Sequence, residues 1–296
     1  MLDPDWALTR PILWLALAAL VALLVVRTIR KDRKEYQRFK RYRTTVKRQA
    51  MFRKWLLDSF VSFGGVSVVL LLLAGGFAVP LLRELVEWPG LRDLRALTAD
   101  NPGITVGVIL GLVLGLTALT VVGVRAARKE DEVMTVGDIT SMLPRNRQEL
   151  RLGALLSINA GVVEELTFRL ALPATIYGAS GSALAAVLGS VLLFGALHLY
   201  QGPAGIIGTT IVGAIMMGLY VVSGTIVVPI VLHAVFDLRS LVLIPAAVYG
   251  VHRIDGVEQP LIRKLAVPAP VEVPPAVPAE PAEPVEPAEP VGLDTP

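Results

Sequence analysis

The chain contains no cysteine. That excludes disulfides, thiolate metal ligands and a cysteine nucleophile, and it says nothing about redox compartment. Charge is also scarce. Only 18% of residues are charged, against about 25% in soluble domains. Histidine is rarer still: His198, His233 and His252 are the only three. There is no His-Glu-x-x-His, which would make zinc the first choice, and no Gly-x-Ser-x-Gly. What the chain has in quantity is apolar residues, at 54% with a mean hydropathy of +0.63. This is the composition of a membrane protein. The net charge of +3 is small but unevenly placed.

Apolar runs and their flanks predict an all-α, polytopic transmembrane helical bundle of about seven spans. The first is Pro11 to Val26, short and closed by Arg27, with acids before it and a basic wall after. A secretory signal would show the reverse order, so the span is expected to be retained. Residues 27–54 hold thirteen Lys and Arg and two acids. Between two spans, that reads as a cytoplasmic loop obeying the positive-inside rule rather than a nucleic-acid patch. It puts the N-terminus outside. The second span is Leu56 to Leu82 and the third Ile104 to Val124. Gly103, Gly107, Gly111 and Gly115 line one face of the third, a groove expected to admit another helix closely. After a polar stretch from 125 to 151 come spans at about 152–172, 182–200, 204–222 and 225–249. Pro229 in the last is expected to kink it and free a carbonyl. The tail, 266–296, has ten prolines, six acids and no Lys or Arg. It cannot bury a core and is expected to be disordered. The domain reading is therefore 1–139, a three-span region with the basic loop; 140–250, a catalytic membrane domain; and 251–296, a Pro/Glu-rich tail.

Glu164-Glu165-Leu166-Thr167-Phe168-Arg169 interrupts the fourth apolar run. Each charge at the centre of a span costs about 2.5–3.5 kcal/mol on insertion scales, so three there need partners or water. Glu165 and Arg169 are four apart on one helix face and should pair. Glu164 lies about 100° round the helix, free for another partner. His198 sits in the fifth span, and His233 and Asp237, again four apart, in the seventh. Asp237 is placed to orient the His233 imidazole or to assist the same substrate atom. A carboxylate beside a histidine can take a proton from water and return it to a leaving amine. A second histidine with a carboxyl or amide group can stabilise an oxyanion. Glu164, His198 and His233 could also hold a divalent metal such as zinc. The bland reading is a buried ion-pair network that fixes helix register. A transporter or proton relay would use the same residue types, but such proteins often show two related halves, and no internal repeat is visible.

At these residues the sequence resembles the CPBP family, which includes the type II CAAX prenyl endopeptidases (the Ras-converting enzymes) and the bacterial Abi proteins. The resemblance rests on Glu164-Glu165-x-x-x-Arg169, Phe194-x-x-x-His198 and His233-x-x-x-Asp237, in that order on successive polar-bearing helices. It covers roughly residues 140–250. It implies an intramembrane endopeptidase in a bacterial plasma membrane, with a helical bundle around a cavity open to the cytoplasm. The implied partners are the lipid bilayer and a peptide or protein substrate, prenylated or membrane-embedded, with no nucleic acid. By motif, Glu164 would activate water with help from His198. His233 and Asp237 would stabilise the oxyanion, and Glu165 and Arg169 would position the site. Members are described both as metalloproteases and as metal-independent glutamate proteases, and non-catalytic scaffold or immunity-type members are also implied. Asp237 stands where the prenyl-protease branch commonly has Asn, and Leu170 where Gly often follows the Arg.

Overall fold

Lys and Arg are good helix formers, so a basic run continues a helix unless something stops it. The first helix shows this. α1, Thr9–Arg27, passes through one π-helical turn, Thr28–Asp32, into α2, Arg33–Phe39. Only a short turn separates it from α3, Thr45–Ser59. The basic stretch 27–54, expected as a loop, is therefore mostly helix, and its two limbs extend the first two spans. In this computed structural model, residues 1–130 and 137–256 are described. Of the tail region 251–296, only 251–256 is described, and the stretch 266–296 expected to be disordered lies outside the described residues.

The second run continues from α3 through a π turn, Phe60–Gly64, to α4, Gly65–Ala74. A 3-10 turn, Gly75–Phe77, leads on to α5, Ala78–Val86. A short α6, Leu91–Asp100, precedes the long α7, Pro102–Glu130. The glycine groove of α7 is not used as expected. A Cβ built on Gly103, Gly107, Gly111 or Gly115 would meet nothing within 4 Å. Helix α8, Arg147–Glu165, starts earlier than the apolar pattern suggests. Asn146 caps it, its side chain accepting from the Gln148 and Glu149 amides at 3.1 and 2.9 Å. A π segment, Leu166–Ala171, joins α8 to α9, Leu172–Ser180. The span expected to end at about residue 172 runs on through Pro173. The proline is tolerated because it sits in the first turn after the π segment, where the i–4 bonding that a proline disrupts is already broken.

Helices α10, Ala183–Leu197, and α11, Gly202–Ser223, pack on one another across a turn at His198–Gln201. α12, Val227–Leu238, follows, then a π turn, Arg239–Leu243, and α13, Ile244–Tyr249. Because α12 begins only at Val227, Pro229 falls in its first turn, where the missing backbone donor would have had no partner within the helix. Among the described residues, five stretches are long and apolar enough to cross a membrane: Thr9–Phe39, Thr45–Val86, Val106–Lys129, Ala183–Ser223 and Val227–Tyr249. The fourth of these is the α10–α11 hairpin. The α8–α9 helix is not among them, since Glu164, Glu165 and Arg169 interrupt its apolar run. The exposed surface carries many large apolar side chains, among them Leu15, Leu72, Leu114, Leu192 and Ile207. That pattern suits a lipid solvent, in which association depends on close packing rather than on water exclusion. The core joins α1, α4, α5, α9, α10 and α11 around Phe168 and Phe194, the two rings that also flank the charged residues.

Candidate active site

The site is built on the last turn of α8 and the π segment after it. The wider π turn carries Arg169 back over Glu165, and Arg169 Nε lies 2.9 Å from Glu165 Oε2. A π turn also releases carbonyls from the regular ladder. Side chains take up the slack. Ser190 of α10 donates to the Phe168 carbonyl, and Thr167 bonds the Val163 carbonyl at 2.7 Å and Ser67 of α4 at 2.7 Å. These contacts hold the π segment against α4 and α10.

Helix α12 supplies the histidine. Its approach depends on Gly161, one turn before Glu165. A Cβ there would stand 2.9 Å from the Ala234 nitrogen and 3.0 Å from the Ile230 carbonyl oxygen, both backbone atoms. With hydrogen in that place the helices close, and His233 Nδ1 comes within 2.7 Å of Glu165 Oε1. Asp237 Oδ2 is 3.7 Å from His233 Nε2, an ion-pair distance but not a hydrogen bond. The residue that orients the imidazole is thus Glu165, not Asp237 as the i,i+4 spacing suggests. The reason is depth: Glu165 is fully buried, whereas the Asp237 side chain is 30% exposed.

His198 stands apart from this chain of contacts. Its Nδ1 is 2.8 Å from the Phe194 carbonyl oxygen of its own helix. A carbonyl only accepts, so Nδ1 carries the hydrogen and the neutral ring presents Nε2 as an acceptor. Phe194 is the spacer between the groups. Its ring centroid is 4.7 Å from the Arg169 guanidinium carbon, 4.9 Å from the His198 ring and 6.3 Å from the His233 ring. Glu164, on the adjacent face of α8, makes no hydrogen bond among the described residues. It stands within electrostatic reach of His233, Asp237, Glu165 and Arg169.

The structure therefore links Arg169, Glu165, His233 and Asp237 in one line. It holds Glu164 beside them and sets His198 one aromatic ring away. The three candidate metal ligands, Glu164, His198 and His233, do not converge. Among the described residues no group of three His, Asp or Glu side chains is placed to hold a metal ion. Zinc has no ready donor set in this arrangement, and no step below runs through one. His252 is exposed and lies outside the site. Two contributors escape a sequence reading. Gly161 is one glycine among 26. Tyr200, its ring tilted against that of His198 at 5.9 Å between centroids, could have been noticed only as an aromatic with a polar tip two residues after a motif histidine.

Comparison with known families covers this same segment. Residues 146–239 match the family described as type II CAAX prenyl endopeptidase Rce1-like. The similarity covers about a third of the 296 residues. The match runs from the α8 cap to the end of α12, so it takes in every residue of the site and leaves out the first two helical runs and α7. No curated protein and no solved structure matches the chain. The apolar helices make this an integral membrane protein, and its likeness to the CAAX prenyl endopeptidases rests on residues 146–239.

Proposed function

We propose that this protein is an intramembrane endopeptidase that cleaves a peptide bond with water activated by Glu164. The observation that carries the reading is the neighbourhood of Glu164. It is a carboxylate with no hydrogen-bond partner of its own among the described residues, next in sequence to Glu165 of the buried Glu165–His233 pair and within electrostatic reach of His233 and Asp237. Glu164 takes a proton from water as the oxygen attacks the peptide carbonyl carbon. His198, with Nε2 free to accept, assists that transfer or receives the proton next. The carbon–nitrogen bond then breaks and the amine leaves with the proton.

His233 serves the oxyanion. Its Nδ1–H is given to Glu165, so Nε2 can donate only when the ring is protonated. The Glu165 carboxylate on one side and Asp237 on the other both support that charge. Arg169 in turn supports Glu165. Burial among apolar helices strengthens each of these interactions relative to water. The substrate class that follows is a peptide or protein segment presented at a membrane.

The test compares membrane-protein termini in cells carrying wild type or Glu164→Gln at matched protein level. Cleaved ends present in wild type and absent in the variant support the reading and name the substrate. Identical profiles, under conditions where wild type has its phenotype, sink it in favour of a register-fixing or partner-binding network.

A further inference from the structure

The first helix carries its lipid-facing row directly into a row of cations. Leu15 and Val26 are exposed on α1, and Ile29 is exposed on the π turn that follows it. Leu15 and Val26, 11 residues apart, fall about 20° from one line on a 3.6-residue helix. Past Ile29 the same side continues as Arg33, Gln37 and Arg41, with Lys34 and Arg38 one position round. These side chains and Ile29 line an open groove of about 460 Å³. All of them are exposed.

The acids nearby are already engaged elsewhere. Asp32 pairs with Arg27 at 3.4 Å. Glu35 takes Lys54 at 2.7 Å and the Trp55 indole N–H at 3.2 Å. Asp58 takes Lys31 and Lys54, each at 2.7 Å, and Asp138 takes Lys40. Every one of those pairs lies away from the groove. Arg33, Lys34, Arg38 and Arg41 have no ion-pair partner among the described residues, and no acid lines the groove. Charge is thus sorted by face: mixed and paired where the helix meets the bundle, purely cationic where it looks outward.

We propose that this groove binds the phosphate headgroup of an anionic phospholipid at the end of the first span. The apolar row below would lie against the acyl chains, and the cations above would meet the phosphate as charge-assisted donors. The continuity of the two rows favours lipid over a nucleic-acid strand, which would gain nothing from Ile29 and the leucines beneath it. Each juxtamembrane cation contributes about 1 kcal/mol toward an anionic surface, or roughly 5-fold, so loss of two should cost roughly 25-fold.

The test uses the full-length protein in detergent. Bound lipid is read by native mass spectrometry with phosphatidylglycerol or phosphatidylcholine of the same acyl chains. Wild type should retain phosphatidylglycerol at least 10-fold better. R33Q/R38Q should lose that preference, while R43Q/K47Q, with the same change in charge on exposed residues outside the groove, should keep it within 2-fold. Circular dichroism confirms that both variants keep their helix content. Equal losses in the two variants overturn the site in favour of a diffuse field. Equal retention of the two lipids by wild type overturns it outright. Displacement of phosphatidylglycerol by millimolar inorganic phosphate would show a free-anion site and overturn the lipid assignment, as would a single-stranded oligonucleotide that displaced it at micromolar concentration.

Discussion

Arg48 and Arg169 are both buried, at 0% and 2% exposure, and each lies against a glutamate contributed by α8. Their surroundings differ. Arg48 is saturated. Its Nε bonds both Glu149 oxygens at 3.0 and 3.2 Å, and its two terminal nitrogens donate to the Ser141 and Leu143 carbonyls at 3.0 Å each. Its guanidinium lies 4.5 Å from the Phe39 ring centroid. Glu149 also accepts from Thr45 and from the Arg145 amide, both at 3.0 Å. Around Arg169 the accounting is incomplete. Its Nε approaches Glu165 at 2.9 Å without hydrogen-bond alignment, and its Nη2 has no hydrogen-bond partner among the described residues. A satisfied buried ion pair fixes geometry. An under-satisfied one beside a lone carboxylate and two histidines keeps valences open for something that arrives. The first cluster ties the start of α3 to the start of α8, and the second lies at the other end of that helix.

The largest effect that would separate the two clusters is catalytic. Glu164→Gln should lower peptidase turnover roughly 10²–10⁴-fold, the usual worth of a positioned proton acceptor, with thermal stability in detergent unchanged. A residual rate near wild type would remove Glu164 from the proton path.

Arg48→Ala should do the opposite. It strands the fully buried Glu149, at a cost of about 3–5 kcal/mol, while turnover per folded molecule stays close to normal. Denaturant titration in mixed micelles measures the first, and single-turnover assay the second. The double change Arg48→Met with Glu149→Leu should recover most of that loss, because both charges then leave together. The matching pair of changes at Arg169 and Glu165 should recover folding but not activity. Recovery of activity there would mean that the second cluster is a clamp like the first.

How these clusters read in the sequence follows from distance along the chain. The i,i+4 pair Glu165–Arg169 is local, and helical spacing alone predicts it. The Glu165–His233 bond joins residues 68 apart, and Arg48–Glu149 joins residues 101 apart. Periodicity reports which face a residue occupies, not which helix comes to meet it. So His233 was legible as an intramembrane polar group but not as the partner of Glu165. Arg48, one of thirteen cations in 27–54, had nothing to mark it as buried. The all-helical architecture was legible from composition and apolar run length. Helix ends were less so, because π turns and the cap at Asn146 move them without changing hydropathy.

Gly161 gives a smaller and more geometric test. Gly161→Ala inserts a methyl against the α12 backbone and should cost about 1–3 kcal/mol through overpacking. It should also lower turnover by lengthening the 2.7 Å His233–Glu165 bond. Gly218→Ala, on α11 with nothing within 4 Å of the added carbon, should be neutral or slightly stabilising, since alanine is the better helix former. If the two variants behave alike, the close approach of α8 and α12 is not what sets the site.

The smallest expected effect is the most informative about charge. Asp237 is 3.7 Å from His233 Nε2, and an ionised carboxylate there accepts but cannot donate. Asparagine keeps the shape and adds a donor. If Asp237 sits beside the developing oxyanion, Asp237→Asn should leave turnover within about 10-fold of wild type, in either direction, because a gained donor offsets the lost support for a protonated His233. Asp237→Ala removes both and should be slower than the Asn variant. The ratio of turnover in those two variants is the measurement. A dead Asn variant would show that the carboxylate itself takes a proton, and would move the general base from α8 to α12. Equal rates in the Asn and Ala variants would show that neither donor nor charge at 237 reaches the reacting carbonyl, leaving the oxyanion to His233 alone.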